Sequence, residues 1–445
     1  MSKTLINKDG RYAEIISLST GGRLCVEVMP TLESFTLGLF LPVGSAFESP
    51  DVNGISHFIE HMLFKGTKKR SARQIVKTVE RVGGLINAST GREITYFYIR
   101  IASHRLDLAL DVLTDLVFNP EFDAGALERE KGVILEEMHM NEDDPGQALY
   151  ERFIKAVHGK SGYARPILGT EKTITSFNRN TLRNYHKTHY APGQLIASIA
   201  GGIDPDVVRS HLEKKISARR KASKNGIKLP PKPKFRSEIS VHSKDVEQAA
   251  LILGFPSGSI VSSDRYAFTL LDAILAGGMM SRLFQEVREK RGLVYSIDST
   301  HQPYRKSGIF TVEAGMREEN LITVLKIALK EISKLARTGP GKRELADTKE
   351  YLKGHWALGL ESTSSRMVRN AMSTLYFDRL LEHHEILDRL DAVTPEHVAA
   401  AAAKCFENGG PSVGALSRFD NGNRVAQVTG KIREICARAQ DSNGG

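Results

Sequence analysis

Hydrophobic and polar positions alternate with two periodicities along the chain, and together they predict a mixture of strands and helices. Apolar runs of strand length occupy residues 36–49 (TLGLFLPVGSAFES) and 250–263 (ALILGFPSGSIVSS), and each contains a glycine turn. Apolar residues recur with helical spacing in 105–118 and 320–336. The pattern therefore predicts an α+β fold class in both halves of the chain.

The two halves begin with similar strand, turn and helix patterns, which predicts a duplicated domain. A chain of 445 residues is also too long for one ordinary hydrophobic core. Each domain is expected to be a β-sheet covered by helices on one face. The predicted division is an N-terminal domain over 1–212, a basic, proline-containing linker over 213–236, a C-terminal domain over 237–436 and a flexible tail over 437–445.

Composition and the N-terminal sequence favour a globular protein without membrane segments. Hydrophobic residues make up 41% of the chain and charged residues 26%, as in soluble proteins. No apolar run approaches the ~20 residues that a membrane span needs. The opening residues, MSKTLINKDGRYAEI, resemble neither a signal peptide nor an organelle presequence, so the sequence predicts a cytoplasmic protein of a bacterial-like cell.

Charge and cysteine content exclude two further classes of function. Much of the net charge of +10 lies in 214–235 (KKISARRKASKNGIKLPPKPKF), where no aromatic residues are interleaved for stacking on bases. We therefore expect no nucleic-acid partner. Cys25, Cys405 and Cys436 are far apart and form no C-x-x-C motif, so neither a disulfide framework nor a thiolate zinc site is predicted.

The segment 55–64 (ISHFIEHMLF) is the strongest candidate for chemistry. On a helical wheel His57, Glu60 and His61 lie opposite the apolar face, and two histidines four residues apart can bind one metal ion. The alternative is an ordinary solvated helix face. The matching segment of the second half, 265–284, has no histidine, so only the first half has this candidate site. The apolar face of the wheel consists of Ile55, Phe58, Ile59, Met62 and Leu63.

A third metal ligand is expected from the helical segment 126–144 (ALEREKGVILEEMHMNEDD). Glu130 and Glu137 are seven residues apart and share its apolar side, whereas Glu136 points to the opposite side. An inward carboxylate needs a cationic partner, and a metal or a ligating histidine provides one. The wheel therefore selects Glu137 over Glu136, with a buried ion pair to Lys or Arg as the alternative. The apolar side itself is predicted to consist of Leu127, Val133, Ile134, Leu135 and Met138.

The chain resembles the M16, or pitrilysin-type, zinc peptidases with the inverted H-x-x-E-H motif, in particular their mitochondrial processing peptidase β-like and bacterial processing-peptidase branch. The resemblance covers almost the whole chain, and the step of 76 positions from His61 to Glu137 is typical of that family. It rests on HFIEHMLFKGT, VGGLINASTGREITYFY and EREKGVILEEM in the first half, and on AGGMMSRLFQEVREKRGLVYSI, KGHWALGLESTSSRM and LDAVTPEHVAAAAAKCF in the second.

The resemblance implies one Zn²⁺ per chain and two homologous domains arranged as a clamshell. It implies His57, His61 and Glu137 as zinc ligands, Glu60 as the general base and Glu130 as a residue that supports a ligand. Glycine replaces the more usual Ser or Thr at position 91, which makes the local strand geometry a point to examine.

The resemblance also implies a substrate-binding strand and a second group of substrate-binding residues. Asn87 and Ala88 would hold a peptide that adds to the sheet edge, although the sequence alone favours a turn there. Arg288 and Tyr295 would grip substrate and oxyanion. Without the resemblance they are a solvated helix residue and an ordinary strand aromatic.

The predicted activity is zinc-dependent cleavage of peptides or unfolded polypeptide segments, by a homodimer or by a heterodimer with a related chain. Two alternatives remain, a structural or partner subunit of a larger complex and a peptidase dedicated to one precursor. Subunits that have lost activity typically lose motif residues, which this chain retains. The sequence does not identify the natural substrate.

Overall fold

The computed structural model describes residues 3–6, 12–217, 229–407 and 410–441. The strands are β1 Lys3–Ile6, β2 Tyr12–Ser17, β3 Arg23–Val28, β4 Ser34–Leu41, β5 Leu85–Thr90, β6 Thr95–Ala102, β7 Ile196–Gly201, β8 Ile239–Ser243, β9 Ala249–Ser257, β10 Val294–Pro303, β11 Gly308–Met316 and β12 Ser412–Ser417. The helices are α1 Ile55–Leu63, α2 Ala72–Glu80, α3 Leu106–Phe118, α4 Ala124–Asp143, α5 Pro145–His158, α6 Glu171–Ser176, α7 Arg179–His189, α8 Pro205–Ile216, α9 Arg265–Leu275, α10 Leu321–Thr338, α11 Lys342–Gly359, α12 Thr363–Phe377, α13 His383–Asp391, α14 Pro395–Lys404 and α15 Gly422–Asp441.

The chain forms two compact units, each an α+β arrangement around its own sheet. The prediction divides the chain once, between residues 212 and 237. In the structure each unit also contains a segment from beyond that division: α12 belongs to the first unit and α5 to the second. The first unit comprises 1–138, 165–230 and 356–382, and the second 139–164, 231–355 and 383–445.

The predicted linker and the predicted tail each begin within a helix. Helix α8 runs to Ile216, four residues into the predicted linker, and residues 218–228 lie outside the described part of the chain. The tail predicted from residue 437 is wrong for its first five residues, because α15 continues to Asp441 and buries Cys436. Residues 442–445 lie outside the described part.

The first sheet has the strand order β1-β2-β3-β7-β4-β6-β5 among the described residues. Strand β3 is parallel to β7, and the remaining neighbours are antiparallel. Along β4, Phe35, Leu37 and Leu39 point to the main core, to which α1, α2, α3 and α8 contribute. Alternating side chains thus create one fully apolar face. Among the described strands, β5 lies at one edge of this sheet and pairs with β6.

Helix α12 covers the opposite face of this sheet. Along their strands, Phe40 of β4 and Cys25 of β3 alternate with residues of the main core and therefore point to the opposite face. There they pack in a second cluster with Met367 and Ala371 of α12. At Gly38 a Cβ atom would meet the Met367 sulfur at 2.3 Å, so a side chain there would displace the helix. The expectation of helices on one face is incomplete, because the second face is covered by a helix from a distant part of the sequence.

The second unit repeats this arrangement around the order β10-β11-β9-β12-β8. One face packs on α9, α10, α14 and α15. On the other face, Ala250 and Ile252 contact Leu149 and Phe153 of α5. Each unit is therefore a sheet with helices on both faces, and the predicted α+β fold class is confirmed. Within the described residues, no helix has the length and apolar character needed to cross a membrane.

A buried ion pair fastens α12 to the first sheet. Arg366 of α12 pairs with Glu27 of β3, and only 2% and 1% of their side-chain surfaces are exposed. The Glu27 carboxylate also accepts a 2.6 Å hydrogen bond from the Asn370 amide and lies 3.3 Å from the Arg369 guanidinium. The carboxylate thus has partners for both of its oxygens.

We expect Arg366→Met to lower the free energy of unfolding of the first unit by about 3–5 kcal/mol, because it leaves a carboxylate buried without its main partner. The double variant Glu27→Leu/Arg366→Met should lose less than Arg366→Met alone. Urea titration followed by the fluorescence of Trp356, the single tryptophan and a residue of this unit, measures both. Glu128→Gln, which breaks an exposed ion pair with Lys131, is the control and should change the free energy by less than about 1 kcal/mol.

Candidate metal centre

Helix α1 is preceded by a glycine, Gly54, that no other residue can easily replace. Gly54 has a φ of 91°, in the left-handed region, and a Cβ atom there would lie 2.6 Å from the Leu168 carbonyl oxygen. Gly54 has no side chain to cap the helix. The Glu48 carboxylate caps it instead, accepting hydrogen bonds from the N–H groups of Gly54 (2.7 Å) and Ser56 (2.9 Å).

The predicted amphipathic character of α1 is present in the structure. Ile55, Phe58, Ile59, Met62 and Leu63 are fully buried in the main core. His57 and His61 leave the helix on the other side, with ring centroids 4.6 Å apart. His57 is itself buried, so the histidines do not form an ordinary solvated face.

Three polar atoms converge beside α1. The Nε2 atoms of His57 and His61 are each 3.7 Å from Oε2 of Glu137 on α4, and the three ligand atoms all lie within 4.8 Å of one another. A distance of 3.7 Å is too long for a hydrogen bond. It fits two ligands of one zinc ion, since bonds of about 2.0–2.1 Å place tetrahedral ligands roughly 3.3–3.4 Å apart, with slightly more at wider angles. The donor set and its spacing therefore fit zinc.

Burial keeps the imidazole of His57 in the neutral form that binds metal. Burial and, to a smaller extent, the neighbouring His61 lower the pKa of His57 to about 3. A neutral imidazole has a lone pair available at neutral pH. The Nδ1 atom of His57 is buried without a hydrogen-bond partner among the described residues. Burial raises the pKa of Glu137, and the electrostatic interaction with His61 lowers it by a smaller amount.

Glu130 orients His61 from behind. Its carboxylate lies 2.8 Å from Nδ1 of His61 and 2.7 Å from Nζ of Lys65. Burial alone would raise the pKa of Glu130, but the hydrogen bonds from His61 and Lys65 outweigh burial and the pKa is lowered. A carboxylate on the far nitrogen fixes the imidazole so that Nε2 faces the metal position.

Glu60 lies on the same face of α1 and is not one of the three converging groups. The Thr90 hydroxyl, at the end of β5, donates a hydrogen bond to its carboxylate. Burial raises the pKa of Glu60 and nearby Glu137 raises it further, whereas Thr90 and His61 lower it. A carboxylate with a raised pKa, next to a metal position, is suited to accept a proton from water.

The predicted substrate strand is a strand and not a turn. Asn87 and Ala88 lie in the middle of β5, opposite Tyr98 and Phe97 of β6, at the edge of the first sheet. The same strand carries Thr90, the partner of Glu60. An edge strand is the position at which an extended chain can add to a sheet.

Arg288 and Tyr295 belong to the second unit. Arg288 lies in a π-helical turn, Phe284–Glu289, and its guanidinium is 4.9 Å from the centre of the Phe284 ring. Tyr295 lies in β10, one of the two edge strands of the second sheet among the described residues, and is half exposed. Its hydroxyl accepts a 3.4 Å hydrogen bond from Arg317. Their predicted role in substrate binding stays a prediction.

The helical wheel compared two carboxylates of α4, and the structure places them differently. Glu137 faces His57 and His61, while Glu136 is exposed. The wheel places Val133 on the buried side of α4, which is wrong, because Val133 is 51% exposed. The buried side of this helix contains Glu130 as well as apolar residues such as Leu127 and Ile134. Three supporting residues were not predicted, namely Glu48, Lys65 and Thr90. Glu48 and Thr90 lie outside α1 and contact it from other parts of the chain, so helical periodicity gives no signal for them. Lys65 follows His61 by four residues, and this spacing could have indicated that Lys65 lies on the same side as His61.

Comparison with known families gives two matches that together span most of the chain. Residues 24–171 match the family model described as Insulinase (Peptidase family M16). This range includes His57, Glu60, His61, Glu130 and Glu137. Residues 176–352 match the model described as Peptidase M16 inactive domain.

Several bacterial proteins are similar over nearly their full length. The uncharacterized zinc protease YmxG of Bacillus subtilis is 38% identical over 87% of this chain and 94% of its own. An uncharacterized zinc protease of Streptomyces coelicolor is 36% identical over 87% of this chain and 85% of its own. The crystal structure of a protease from Helicobacter pylori has a TM-score of 0.85 at 23% identity, covering 91% of this chain and 99% of that one, and shows the same fold.

Proposed function

The chain belongs to peptidase family M16, and from that premise we propose that it is a zinc-dependent endopeptidase that cleaves peptides or unfolded polypeptide segments. The observation that carries the proposal is the convergence of His57, His61 and Glu137 on one point, with Glu60 on the same helix. The kinship with proteins named zinc proteases supports zinc as the metal.

His57, His61 and Glu137 would hold the zinc, and the remaining residues would handle the proton and the ligand orientation. When bound, zinc supplies a Lewis acid for the peptide carbonyl and lowers the pKa of water. Glu60 accepts the proton of the attacking water and returns it to the leaving amine, so no covalent intermediate with the protein is needed. Thr90 holds the Glu60 carboxylate, and Glu130 holds the His61 ring.

The edge strand β5 is the proposed binding surface for substrate. An extended peptide paired with β5 makes main-chain hydrogen bonds, which hold many sequences equally well. Because Thr90 joins β5 to Glu60, a peptide on this edge would lie beside the proposed base. Arg288 and Tyr295 are proposed as further substrate-binding residues, in keeping with the family resemblance.

Metal analysis and peptide cleavage test this function directly. The purified protein should contain one zinc per chain and should cleave an unstructured peptide library, and a chelator should abolish cleavage that added zinc restores. A preparation that binds no zinc at the site, or one fully loaded with zinc that cleaves no peptide in the library, would contradict the proposal.

We further propose that two chains associate as a homodimer in the cytoplasm, a state that the resemblance suggests and that light scattering of the purified protein measures. A mass near twice 49.2 kDa is expected. A strictly monomeric protein would contradict this part of the proposal and leave the metal centre unaffected.

Replacing Glu130 should weaken zinc binding without removing a ligand. We expect Glu130→Gln to lower zinc affinity by about 10–100-fold, because the amide is a poorer acceptor for the His61 Nδ1–H and no longer fixes the ring. Competition with a chromophoric chelator measures the affinity. Glu128→Gln, on the outer side of the same helix, is the matched control and should bind zinc as the wild type does.

A further inference from the structure

Lys65 carries a positive charge close to the metal ligand His61, with one carboxylate between the two side chains. It follows His61 by four residues and lies two residues beyond the end of α1. Like charges repel each other, so the ammonium group alone would weaken the binding of a metal cation by His61. The contacts of Lys65 show why its effect can have the opposite sign.

The carboxylate of Glu130 lies between Lys65 and His61 and contacts both. Its Oε1 atom is 2.8 Å from Nδ1 of His61, and its Oε2 atom is 2.7 Å from Nζ of Lys65. Only 5% of the Glu130 side-chain surface is exposed, whereas 35% of the Lys65 side chain is. Each oxygen of a nearly buried carboxylate thus has its own partner, and little water can reach it to replace either one.

The ion pair with Lys65 stabilises Glu130 in this position. Burial acts against ionisation, but the hydrogen bonds from His61 and Lys65 outweigh it and the pKa of Glu130 is lowered, so the carboxylate is negative at neutral pH. An ionised carboxylate that loses its ion-pair partner in a buried place is strongly destabilised there. Without Lys65, the position of Glu130 beside His61 would therefore be unfavourable.

We propose that Lys65 is a positioning residue of the metal centre: it fixes the Glu130 carboxylate against Nδ1 of His61, so that Nε2 of this histidine faces the metal position. This inference rests on the proposed zinc site. A lysine that acts through Glu130 strengthens zinc binding, whereas a lysine that acts directly on the cation weakens it. The two effects have opposite signs, so a measurement of zinc affinity separates them.

Chelator competition for Zn²⁺ on the full chain tests the sign of the effect and its route. Lys65→Met should bind Zn²⁺ about 10-fold more weakly than the wild type, and Lys65→Arg, which keeps the charge, should stay within about three-fold of it. When Lys65→Met is added to Glu130→Gln, the affinity should change by less than about three-fold, because the carboxylate through which Lys65 acts is already absent.

Lys77→Met is the matched control for the loss of a lysine near a helix C-terminus. Lys77 is exposed in the last turn of α2, and its removal should leave zinc affinity at the wild-type value. A second readout needs no zinc, namely the chemical shifts of the two imidazole nitrogens of His61. In the metal-free wild type they should show the tautomer protonated at Nδ1, and in Lys65→Met a mixture of both tautomers.

Three results would overturn the inference. The first is a loss of zinc affinity in Lys65→Met smaller than about three-fold, or a gain, and the second is a change larger than about three-fold when this substitution is added to Glu130→Gln. The third is an unchanged His61 tautomer in Lys65→Met. Should Lys65→Met alone not fold, the comparison in the Glu130→Gln background decides, since no buried charge loses its partner there. A wild-type protein that binds no zinc would refute the proposed function, and the His61 tautomer would still decide this inference.

Discussion

Glu60→Gln is expected to lower the kcat for peptide cleavage by about 10²–10⁴-fold while leaving the zinc content at one ion per chain. The substitution keeps the shape of the side chain and its hydrogen bond from the Thr90 hydroxyl, because the glutamine oxygen accepts as the carboxylate does. It removes the group that takes the proton from water. Glu60 is not one of the three converging ligands, so the metal should stay bound.

The experiment combines single-turnover or steady-state cleavage of an unstructured peptide with metal analysis of the same preparation. Glu80→Gln, an exposed residue at the end of α2, is the matched control and should retain wild-type kcat. The Michaelis constant of Glu60→Gln should change little, since β5 and the metal ligands are untouched. A variant that keeps more than a tenth of the wild-type kcat would show that Glu60 is not the base.

The convergence of His57, His61 and Glu137 could be predicted because these residues follow helical periodicity. His57, Glu60 and His61 are close in sequence, and the wheel gives their common side without knowledge of the fold. Glu137 follows the same rule on α4 once the inward side of that helix is known. Contacts across turns and between distant segments carry no such signal, which is why Thr90 and Glu48 emerge only from the structure.

The covering helices illustrate the same limit at the level of the fold. The periodicity of α12 indicates a buried face, and that of α5 does too, but it does not say which sheet each face contacts. In strand β4 the consecutive residues after Ser34 point to alternate faces of the sheet and are all buried, so both faces are covered. Specific contacts decide which sheet a helix covers. For α12 these include the packing of Met367 on Gly38 and the ion pair between Arg366 and Glu27, and the sequence does not reveal either pair.

Glu137→Gln is expected to remove most of the zinc-dependent stability of the protein. A ligand that binds only the folded state stabilises it by RT ln(1 + [L]/Kd), about 2.7 kcal/mol when free zinc is 100 times Kd. If the substitution raises Kd 100-fold, the same zinc concentration contributes only about 0.4 kcal/mol. A neutral amide is a poor zinc ligand compared with a carboxylate, and it leaves the two imidazoles without their third partner.

Melting curves with and without a chelator measure this contribution. Wild type should show a clear fall in melting temperature on chelation, and Glu137→Gln should show almost none. Glu136→Gln, the adjacent and exposed carboxylate, changes the protein charge by the same amount and should respond to the chelator as the wild type does. Equal responses from Glu137→Gln and Glu136→Gln would mean that α4 supplies no ligand and that the metal, if bound, is held by α1 alone.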